Sequence, residues 1–320
     1  MKSVPLNENM PEIDLIYTWV NDNDPAWQAR HNAFTGMAET KADGDCKGRF
    51  ANNDELKYSL RAVEKYAPWI RHIYIVTDQQ IPQWLNTENR KIRIVDHKDF
   101  IPSQSLPCFN SRVIEHCLWR ISDLAEHFLY ANDDMFLNRP VSPSVFYDSD
   151  GLPFARFRRS RFNRFSLWFK EKILRKPLSS YNMAIRNSAR LVKQKYGIYF
   201  GEKSHHNIDA YLKSDYRHVA DVFNKEIEQT MTNHLRSSLD LQRNLYYYVA
   251  LAEKRAHRQY VNRKTSFMLR IHKEKRYRDL EKLKPLFFCM NDSQYATDAD
   301  RKRVTEYLQK RFPEKSSFER

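Results

Sequence analysis

Short apolar runs alternate with segments of helical periodicity in the first half of the chain. The runs with the length and residue types of buried strands are Ile13 to Val20, Ile70 to Thr77, Ile92 to Val95 and Phe128 to Ala131. Between them, residues 54 to 66 and 111 to 124 carry apolar side chains at helical spacing. The residues suited to capping these helices are Asn53 or Asp54 and Asn110 or Ser111. Strands that alternate with helices predict an α/β fold with a doubly wound, mostly parallel sheet.

The second half has a different pattern, because most of its apolar positions recur at helical spacing. The predicted helices span residues 182 to 196, 207 to 232, 238 to 257 and 298 to 311. Leu286 to Met290 is the one late strand that the pattern predicts. Thr297 and Asp300 have the spacing of a capping box at the start of the last helix. We therefore expect a largely helical C-terminal half.

Asn132, Asp133 and Asp134 follow directly after the apolar run that ends at Ala131. In open α/β sheets, ligands bind beyond the carboxyl ends of the strands. Adjacent carboxylates repel each other unless a cation or solvent compensates them, and Mg²⁺ is the usual cation where phosphates are handled. The alternative is a polar turn without a function, which an isolated Asn-Asp-Asp sequence also fits.

The composition excludes several common classes of site. The chain has only 6 glycines and no glycine-rich loop, which argues against P-loop and dinucleotide-binding motifs. Its 4 cysteines form no CxxC pair, so the spacing indicates neither a disulfide framework nor a zinc site, and a reducing compartment fits best. The net charge of +14 indicates an anionic partner without identifying it.

The positive charge is densest between Phe154 and Lys176, where arginines and lysines alternate with aromatic residues. Such a segment suits a helix that lies on an anionic lipid surface. It also suits a cleft for a phosphate-rich sugar polymer, or a solvated basic face over core aromatics. Single-stranded nucleic acid is a further ligand for such residues, but the chain has no other nucleic-acid-binding signature, and we expect no nucleic-acid partner.

Four blocks of the sequence, in this order, resemble the Stealth family of sugar-1-phosphate transferases. They are IDLIYTWVNDNDPAW (13 to 27), a long run that starts at DELKYSLRAVEKYAPW (54 to 69) and continues to EHFLYANDDMF (126 to 136), SHHNIDAYL through TNHLRSSLDLQ (204 to 242), and FFCMND (287 to 292). The family includes bacterial capsule polymerases and the catalytic subunit of lysosomal-enzyme GlcNAc-1-phosphotransferase. The resemblance implies transfer of a hexose 1-phosphate from a UDP-sugar, such as UDP-GlcNAc, to an acceptor hydroxyl, with release of UMP.

The resemblance also implies roles for individual residues. Asp133 and Asp134, together with Asp292, become expected ligands of Mg²⁺ or Mn²⁺, and His206 becomes the expected base, for which Asp133 is the alternative. Arg236 is expected to bind phosphate in the catalytic step, since its planar guanidinium suits bidentate contacts. The expected substrate-binding residues are Tyr17, Thr18, Trp19, Asn21, Arg61, Asn110, Ser111, Glu115, Asp240 and Asn291.

Several of these residues have structural alternatives that the sequence leaves open. Core packing explains Trp19 equally well, and simple helix capping explains Asn110. Asp240 follows Ser237 at nearly the spacing of a capping box, so a purely structural role is almost as well supported. Arg61 could solvate its helix, and His205 could take the place of His206 through a shift in alignment.

Together these inferences predict an α/β core with a GT-A-like nucleotide-sugar site over residues 1–150, a basic aromatic helical insertion over 151–203, and a helical part completing the catalytic domain over 204–320. The expected partners are a nucleotide-sugar donor, a sugar or polysaccharide acceptor that a lipid could carry, and an anionic membrane surface through 154–176.

No apolar run reaches the roughly 18 to 20 residues that span a bilayer, and the polar start lacks a signal-peptide core. We expect a cytoplasmic bacterial protein with peripheral membrane contact. The alternatives are an ordinary GT-A glycosyltransferase that releases UDP and a non-catalytic homologue that binds polyanions or membranes.

Overall fold

A five-stranded sheet lies at the centre of the computed structural model, which describes residues 11–36, 51–159, 169, 173–175 and 177–320. Its strands stand in the order β3-β2-β1-β4-β7. They are β1 (Ile13–Thr18), β2 (Ile73–Thr77), β3 (Ile92–Asp96), β4 (His127–Asn132) and β7 (Asp209–Leu212). The first four are parallel, and β7 runs antiparallel to β4. The predicted α/β class with a mostly parallel sheet is confirmed.

The sheet is buried on both faces, which explains why its strands are continuous apolar runs in the sequence. Successive side chains of a strand point to opposite faces. Leu15 and Tyr17 accordingly belong to one hydrophobic core, and Ile16 belongs to the other. The same alternation holds in β4, where Leu129 and Tyr130 lie in different cores. Two cores on one sheet are the expected result of a doubly wound arrangement.

Helices cover both faces of the sheet. Within the described ranges they are α1 (Pro25–Thr35), α2 (Glu55–Tyr66), α3 (His97–Phe100), α4 (Ser111–Cys117), α5 (Ser180–Tyr196), α6 (Lys213–Val222), α7 (Asn224–Met231), α8 (Asn244–Ala252), α9 (Glu274–Leu283) and α10 (Asp298–Arg311). Side chains of α2 and α10 pack in the first core, whereas those of α4 to α8 pack in the second. None of these described helices is long and apolar enough to cross a membrane.

Two smaller sheets extend the core. In the first, β5 (Met135–Leu137) pairs antiparallel with β10 (Phe287–Asn291), which pairs parallel with β9 (Ser266–Arg270). In the second, β6 (Phe154–Arg158) pairs parallel with β8 (His257–Val261). The turn at Asp133 and Asp134 joins β4 to β5, so it connects the central sheet to the first of these smaller sheets.

The second half is largely helical, as predicted, but the bounds of several of its elements differ from the prediction. The predicted helix 207 to 232 is a strand, β7, followed by α6 and α7, and the predicted helix 238 to 257 begins only at Asn244. Leu286 to Met290 corresponds to β10, but β8 and β9 precede it, and α9 was not predicted. Asp54 precedes α2 with a φ of 63° and makes no capping hydrogen bond with its side chain. The capping box of Thr297 and Asp300 is confirmed.

The predicted helical insertion over 151–203 also begins differently, because residues 154 to 158 form strand β6. Residues 160–168, 170–172 and 176 of the basic aromatic segment lie outside the described residues, so the prediction of an interfacial helix stays a prediction there. Residues 1–10 and 37–50, which include Cys46, also lie outside them. Cys108, Cys117 and Cys289 are buried and free.

Candidate active site

Asp133 and Asp134, the carboxylate pair, lie where the central sheet passes into the smaller sheet of β5, β10 and β9. Because β10 pairs antiparallel with β5, Cys289 lies opposite Met135, next to the turn. The Cys289 thiol donates a hydrogen bond of 3.0 Å to Oδ2 of Asp134, and the Met290 amide donates to the Asp134 carbonyl at 2.9 Å. The structure therefore brings the ends of β4 and β10 together.

The surroundings of the carboxylate pair disfavour negative charge on its two side chains. Burial raises the pKa of Asp134 to about 6, and the pKa of Asp133 is raised well above its usual value by burial, by Glu55 and by Asp134. Glu55 is a third acidic group, buried in the first turn of α2, and burial raises its pKa to about 7. A cation at this point would relieve the repulsion among the three groups.

The residues present fit a divalent cation. Oδ1 of Asp134 is buried and has no hydrogen-bond partner, which is costly for a carboxylate oxygen unless a ligand binds it. Asp134, His206 and Cys289 each offer a ligand atom, and the three atoms lie within 4.8 Å of one another. Asp292 differs from the expected metal ligand, because its carboxylate accepts from Arg301 Nε at 2.9 Å and from the Ser293 amide at 2.6 Å. Its neighbour Asn291 ends β10 and accepts from the Ile271 amide.

His206 lies in the loop before β7 and has a φ of 56°, a left-handed conformation that is uncommon for residues other than glycine. Burial, Arg243 and Arg158 lower the pKa of His206 to about 3, so its imidazole is neutral in the free protein. The neighbouring His205 has a different environment, since its Nε2 lies 3.0 Å from Asp209 Oδ1 in the core. Of the two histidines, His206 has a ring nitrogen within 4.8 Å of ligand atoms of Asp134 and Cys289.

Arg243 connects this loop to the end of β4. Its guanidinium donates to Asp209 at 2.7 Å and lies 3.4 Å from Glu115 Oε1. Glu115 also accepts from the Tyr130 hydroxyl, and its Oε2 is buried without a hydrogen-bond partner. The Thr18 hydroxyl lies 3.2 Å from the Tyr130 hydroxyl. Thr18 and Glu115 thus lie beside the end of β4.

Arg236 and Ser111 are brought together at the start of α4, where Arg236 donates to the Ser111 hydroxyl at 2.6 Å. Asn110 caps this helix by accepting from the Arg112 amide, which supports the structural alternative for that residue. Asp240 is fully buried and accepts from Arg112, Asn110, Asn233 and Ser237. Its oxygens are used within the protein, so the structure corrects the expectation that Asp240 contacts the substrate. It holds the loop that carries Arg236.

The remaining predicted residues fall into the core or the neighbouring loops. The Tyr17 hydroxyl lies 2.6 Å from the Ser59 hydroxyl, and Trp19 is only 7% exposed, so both pack inside the protein. The backbone of Asn21 pairs with the side chain of Gln80. Arg61 is a correction, because its guanidinium donates to Glu319 and to the Phe312 carbonyl and the residue is only 7% exposed.

Two family models match the chain. Stealth conserved region 1 matches residues 11–38, and Stealth conserved region 2 matches residues 49–155. The two matches include β1, α2 and the carboxylate pair. The chain belongs to the Stealth family.

The relatives of this Stealth protein include enzymes of bacterial surface polysaccharides. The chain is 38% identical over 244 residues to capsular polysaccharide phosphotransferase fcs1 of Haemophilus influenzae, a match that covers 75% of this chain and 65% of that one. It is 33% identical over 324 residues to an exopolysaccharide phosphotransferase of Nocardia farcinica, covering 97% of this chain and 61% of that one. Capsular polysaccharide phosphotransferase LcbA of Aeromonas hydrophila is 51% identical over 150 residues, 46% of this chain and 41% of that one. The chain therefore spans less than two thirds of the length of these relatives.

Among solved structures, the galactosyltransferase LgtC matches 95% of this Stealth protein and 96% of its own chain, with a TM-score of 0.45 and 13% sequence identity. A similarity of that size identifies neither an activity nor a ligand, and the α/β class rests on the strand order described above.

Three residues of the site were missed by the sequence analysis: Glu55, Arg243 and Cys289. Glu55 follows Asp54 and looks like an ordinary acidic first-turn residue. Cys289 sits within an apolar run, so only the pairing of β10 with β5 shows that it faces Asp134. Arg158 belongs to the segment predicted to contact a lipid surface or a phosphate-rich polymer, and its Nη2 lies 3.4 Å from the His205 carbonyl, where it contributes to the low pKa of His206.

Proposed function

We propose that this protein transfers a hexose 1-phosphate from a UDP-sugar, such as UDP-GlcNAc, to a hydroxyl of an acceptor sugar during synthesis of a capsule or another surface polysaccharide. The observation that carries the proposal is the cluster of Asp134, His206 and Cys289, next to Asp133, in a chain whose curated relatives are named polysaccharide phosphotransferases. The acceptor oxygen bonds to the sugar-linked phosphorus, the bond between the two phosphates breaks, and UMP leaves with the electron pair.

His206 is the proposed base that takes the proton from the acceptor hydroxyl. A pKa near 3 makes it a weak base in the free protein. The negative charge of a bound diphosphate would raise that pKa toward neutrality, because an opposite charge nearby favours the protonated imidazole. Donor binding therefore prepares His206 for the proton transfer. If Asp133 is the base instead, His206 serves to bind the phosphate or the acceptor.

Asp133 and Asp134 are the proposed ligands of Mg²⁺ or Mn²⁺, which when bound neutralises charge that develops on the diphosphate. We do not retain Asp292 for the metal, since Arg301 already pairs with it. Proposed roles in orienting the donor or the acceptor remain for Thr18, Asn21, Ser111, Glu115 and Asn291. Tyr17 and Trp19 are buried, and we propose that they pack beneath these residues.

Arginines supply the proposed phosphate contacts. Arg158 has no carboxylate partner among the described residues and lies beside the His205 carbonyl, close to His206. Arg236 is a second proposed phosphate-binding residue, and it donates to the Ser111 hydroxyl at the start of α4. Arg243 is already paired with Asp209 and Glu115, so we assign it to holding the loop rather than to binding phosphate.

The experiment that tests this function identifies the nucleotide product. The protein is incubated with a panel of UDP-sugars, Mg²⁺ and oligosaccharide acceptors, and the products are analysed by mass spectrometry. UMP together with an acceptor heavier by one hexose 1-phosphate supports the proposal. UDP as the sole nucleotide product shows an ordinary glycosyltransferase, and no product with any donor favours a non-catalytic polyanion-binding or membrane-binding protein.

We also propose a peripheral membrane position, through the part of the basic aromatic segment that follows Arg158. Liposome flotation with anionic vesicles tests it by comparing the unmodified protein with an Arg159→Glu and Arg161→Glu double variant. Arg158 is left unchanged because it lies at the active site. Equal flotation of both proteins would remove the membrane proposal without affecting the catalytic one.

A further inference from the structure

Asp134, His206 and Cys289 have a combination of donor atoms that differs from the one a magnesium enzyme needs. Mg²⁺ prefers oxygen ligands in octahedral geometry, whereas imidazole and thiolate are ligands of Zn²⁺ and related softer metals. Here a carboxylate oxygen, a ring nitrogen and a sulfur lie within 4.8 Å of one another. We propose that these three residues also bind Zn²⁺, and that the bound Zn²⁺ blocks the transfer reaction.

The three side chains come from separate parts of the fold, which fixes their positions. Asp134 lies in the turn between β4 and β5, Cys289 lies within β10, and His206 lies in the loop before β7. The sulfur is already 3.0 Å from Asp134 Oδ2, and Oδ1 of the same carboxylate is buried without a partner. Three protein ligands with a remaining open position are the usual arrangement of an accessible zinc site.

Metal binding at this site exchanges a proton for the ion. In the free protein the Cys289 proton lies in the hydrogen bond to Asp134. When Zn²⁺ binds, the sulfur becomes a thiolate ligand and its proton passes to solvent, with no change in oxidation state. Because the ion uses the His206 nitrogen and Asp134 together, it removes the proposed base and one proposed Mg²⁺ ligand at once. This inhibition rests on the proposed function, whereas the binding itself does not.

Spacing alone could not reveal this site, since the ligands are 72 and 83 residues apart along the chain. Zinc motifs read from sequence depend on closely spaced ligand pairs. The absence of a CxxC pair therefore excludes a zinc finger but does not exclude a site that three distant segments assemble.

The test uses Co²⁺ as a spectroscopic substitute for Zn²⁺ in the 320-residue protein after treatment with a chelator. A cobalt ion bound by a thiolate absorbs in the near ultraviolet, so the band reports sulfur ligation without any turnover. We expect one equivalent of Co²⁺ to produce the band and Zn²⁺ to displace it. Cys289→Ser should abolish the band and weaken Zn²⁺ binding by at least ~100-fold, since losing even a residue that only orients a ligand costs up to that factor.

Two further variants make the result specific. Cys117→Ser removes a buried thiol that contacts Met231 in the second core and is not one of the three proposed ligands, and it should keep the band unchanged. His206→Gln keeps Cys289 but removes the nitrogen ligand, and it should weaken Zn²⁺ binding even if Cys289→Ser proves unfolded by circular dichroism. No band with the unmodified protein, or a band that survives in Cys289→Ser, would overturn the proposal.

The functional consequence is measured as a ratio within each variant. Activity with excess Mg²⁺ is compared with and without one equivalent of Zn²⁺, and Zn²⁺ should lower turnover of the unmodified protein at least tenfold until a chelator restores it. Cys289→Ser should show little change in this ratio. A protein that binds Co²⁺ as expected but makes no product with any UDP-sugar would contradict the proposed function and leave the metal site standing.

Discussion

At the level of single residues, Asp134 is placed at a cost to stability. Burial raises its folded-state pKa to about 6, above the usual value of 3.8, so its charged form is disfavoured in the fold. The penalty is absent below the unfolded pKa and complete above about pH 6. We therefore expect Asp134→Asn to stabilise the metal-free protein at pH 7.5 by about 1 to 2 kcal/mol, allowing for partial exposure of the side chain. Thermal unfolding without divalent metal measures the difference.

The matched control for this prediction is Asp292→Asn. Asp292 pairs with Arg301, so its loss should destabilise the protein where the loss of Asp134 stabilises it. The gain from Asp134→Asn should shrink as the pH falls through about 6, because the unmodified carboxyl then becomes protonated. If Asp134→Asn is less stable than the unmodified protein at pH 7.5, the negative charge of Asp134 is stabilised in the fold, and the prediction is wrong.

His206 and His205 are adjacent, but we expect substitution of the first to affect catalysis and substitution of the second to affect stability. If His206 is the base, His206→Gln should lower kcat by about 10²- to 10⁴-fold while the midpoint of thermal unfolding changes little. His205→Gln should instead lower the midpoint, since it disturbs the buried contact with Asp209. Steady-state kinetics and calorimetry on both variants separate the two roles. Full activity in His206→Gln would transfer the assignment of the base to Asp133.

At the level of elements, the loop over residues 233 to 240 is organised by one buried ion pair. Asp240 and Arg112 are 2.8 Å apart, and their side chains are 0% and 4% exposed. Removing one partner of a buried pair leaves an uncompensated charge, so Asp240→Asn should destabilise the protein by about 3 kcal/mol. It should also raise KM for the donor, because Arg236 loses its support. Leu239→Ala, at an exposed position of the same loop, is the control and should change stability by less than about 0.5 kcal/mol.

The accuracy of the sequence predictions also differed from element to element. β1, β2 and β4 were predicted because strands buried on both faces are continuous apolar runs. β7 was missed because it has only four residues and continues directly into α6, so its apolar positions were assigned to one long helix. The carboxylate pair could be predicted from its position after β4. Its hydrogen bond with Cys289 and its charge repulsion with Glu55 could not, since they depend on strand pairing and helix docking between distant segments.

At the level of the whole molecule, the C-terminal residues cover the first core at the end of the sheet where β2 begins, opposite the end that carries the carboxylate pair. Phe318 is 3% exposed and lies with Val63 and Ile73 around a cavity of about 310 Å³. Ile73 begins β2, whereas Asn132 ends β4 and pairs in register with the end of β1. Ile73 is level with Leu129, three residues before Asn132, so these two ends of the sheet are about 10 Å apart along the strand direction.

This separation predicts that stability and catalysis can be changed independently. Phe318→Ala should lower the free energy of unfolding by about 3 kcal/mol, because it removes a buried aromatic ring and enlarges an existing cavity. At a temperature where the variant remains folded, its kcat and the Co²⁺ band should equal those of the unmodified protein. Glu314→Ala, an exposed position in the same segment, should alter neither quantity. A loss of kcat in folded Phe318→Ala would mean that packing around Phe318 affects the position of the carboxylate pair at the other end of the strands.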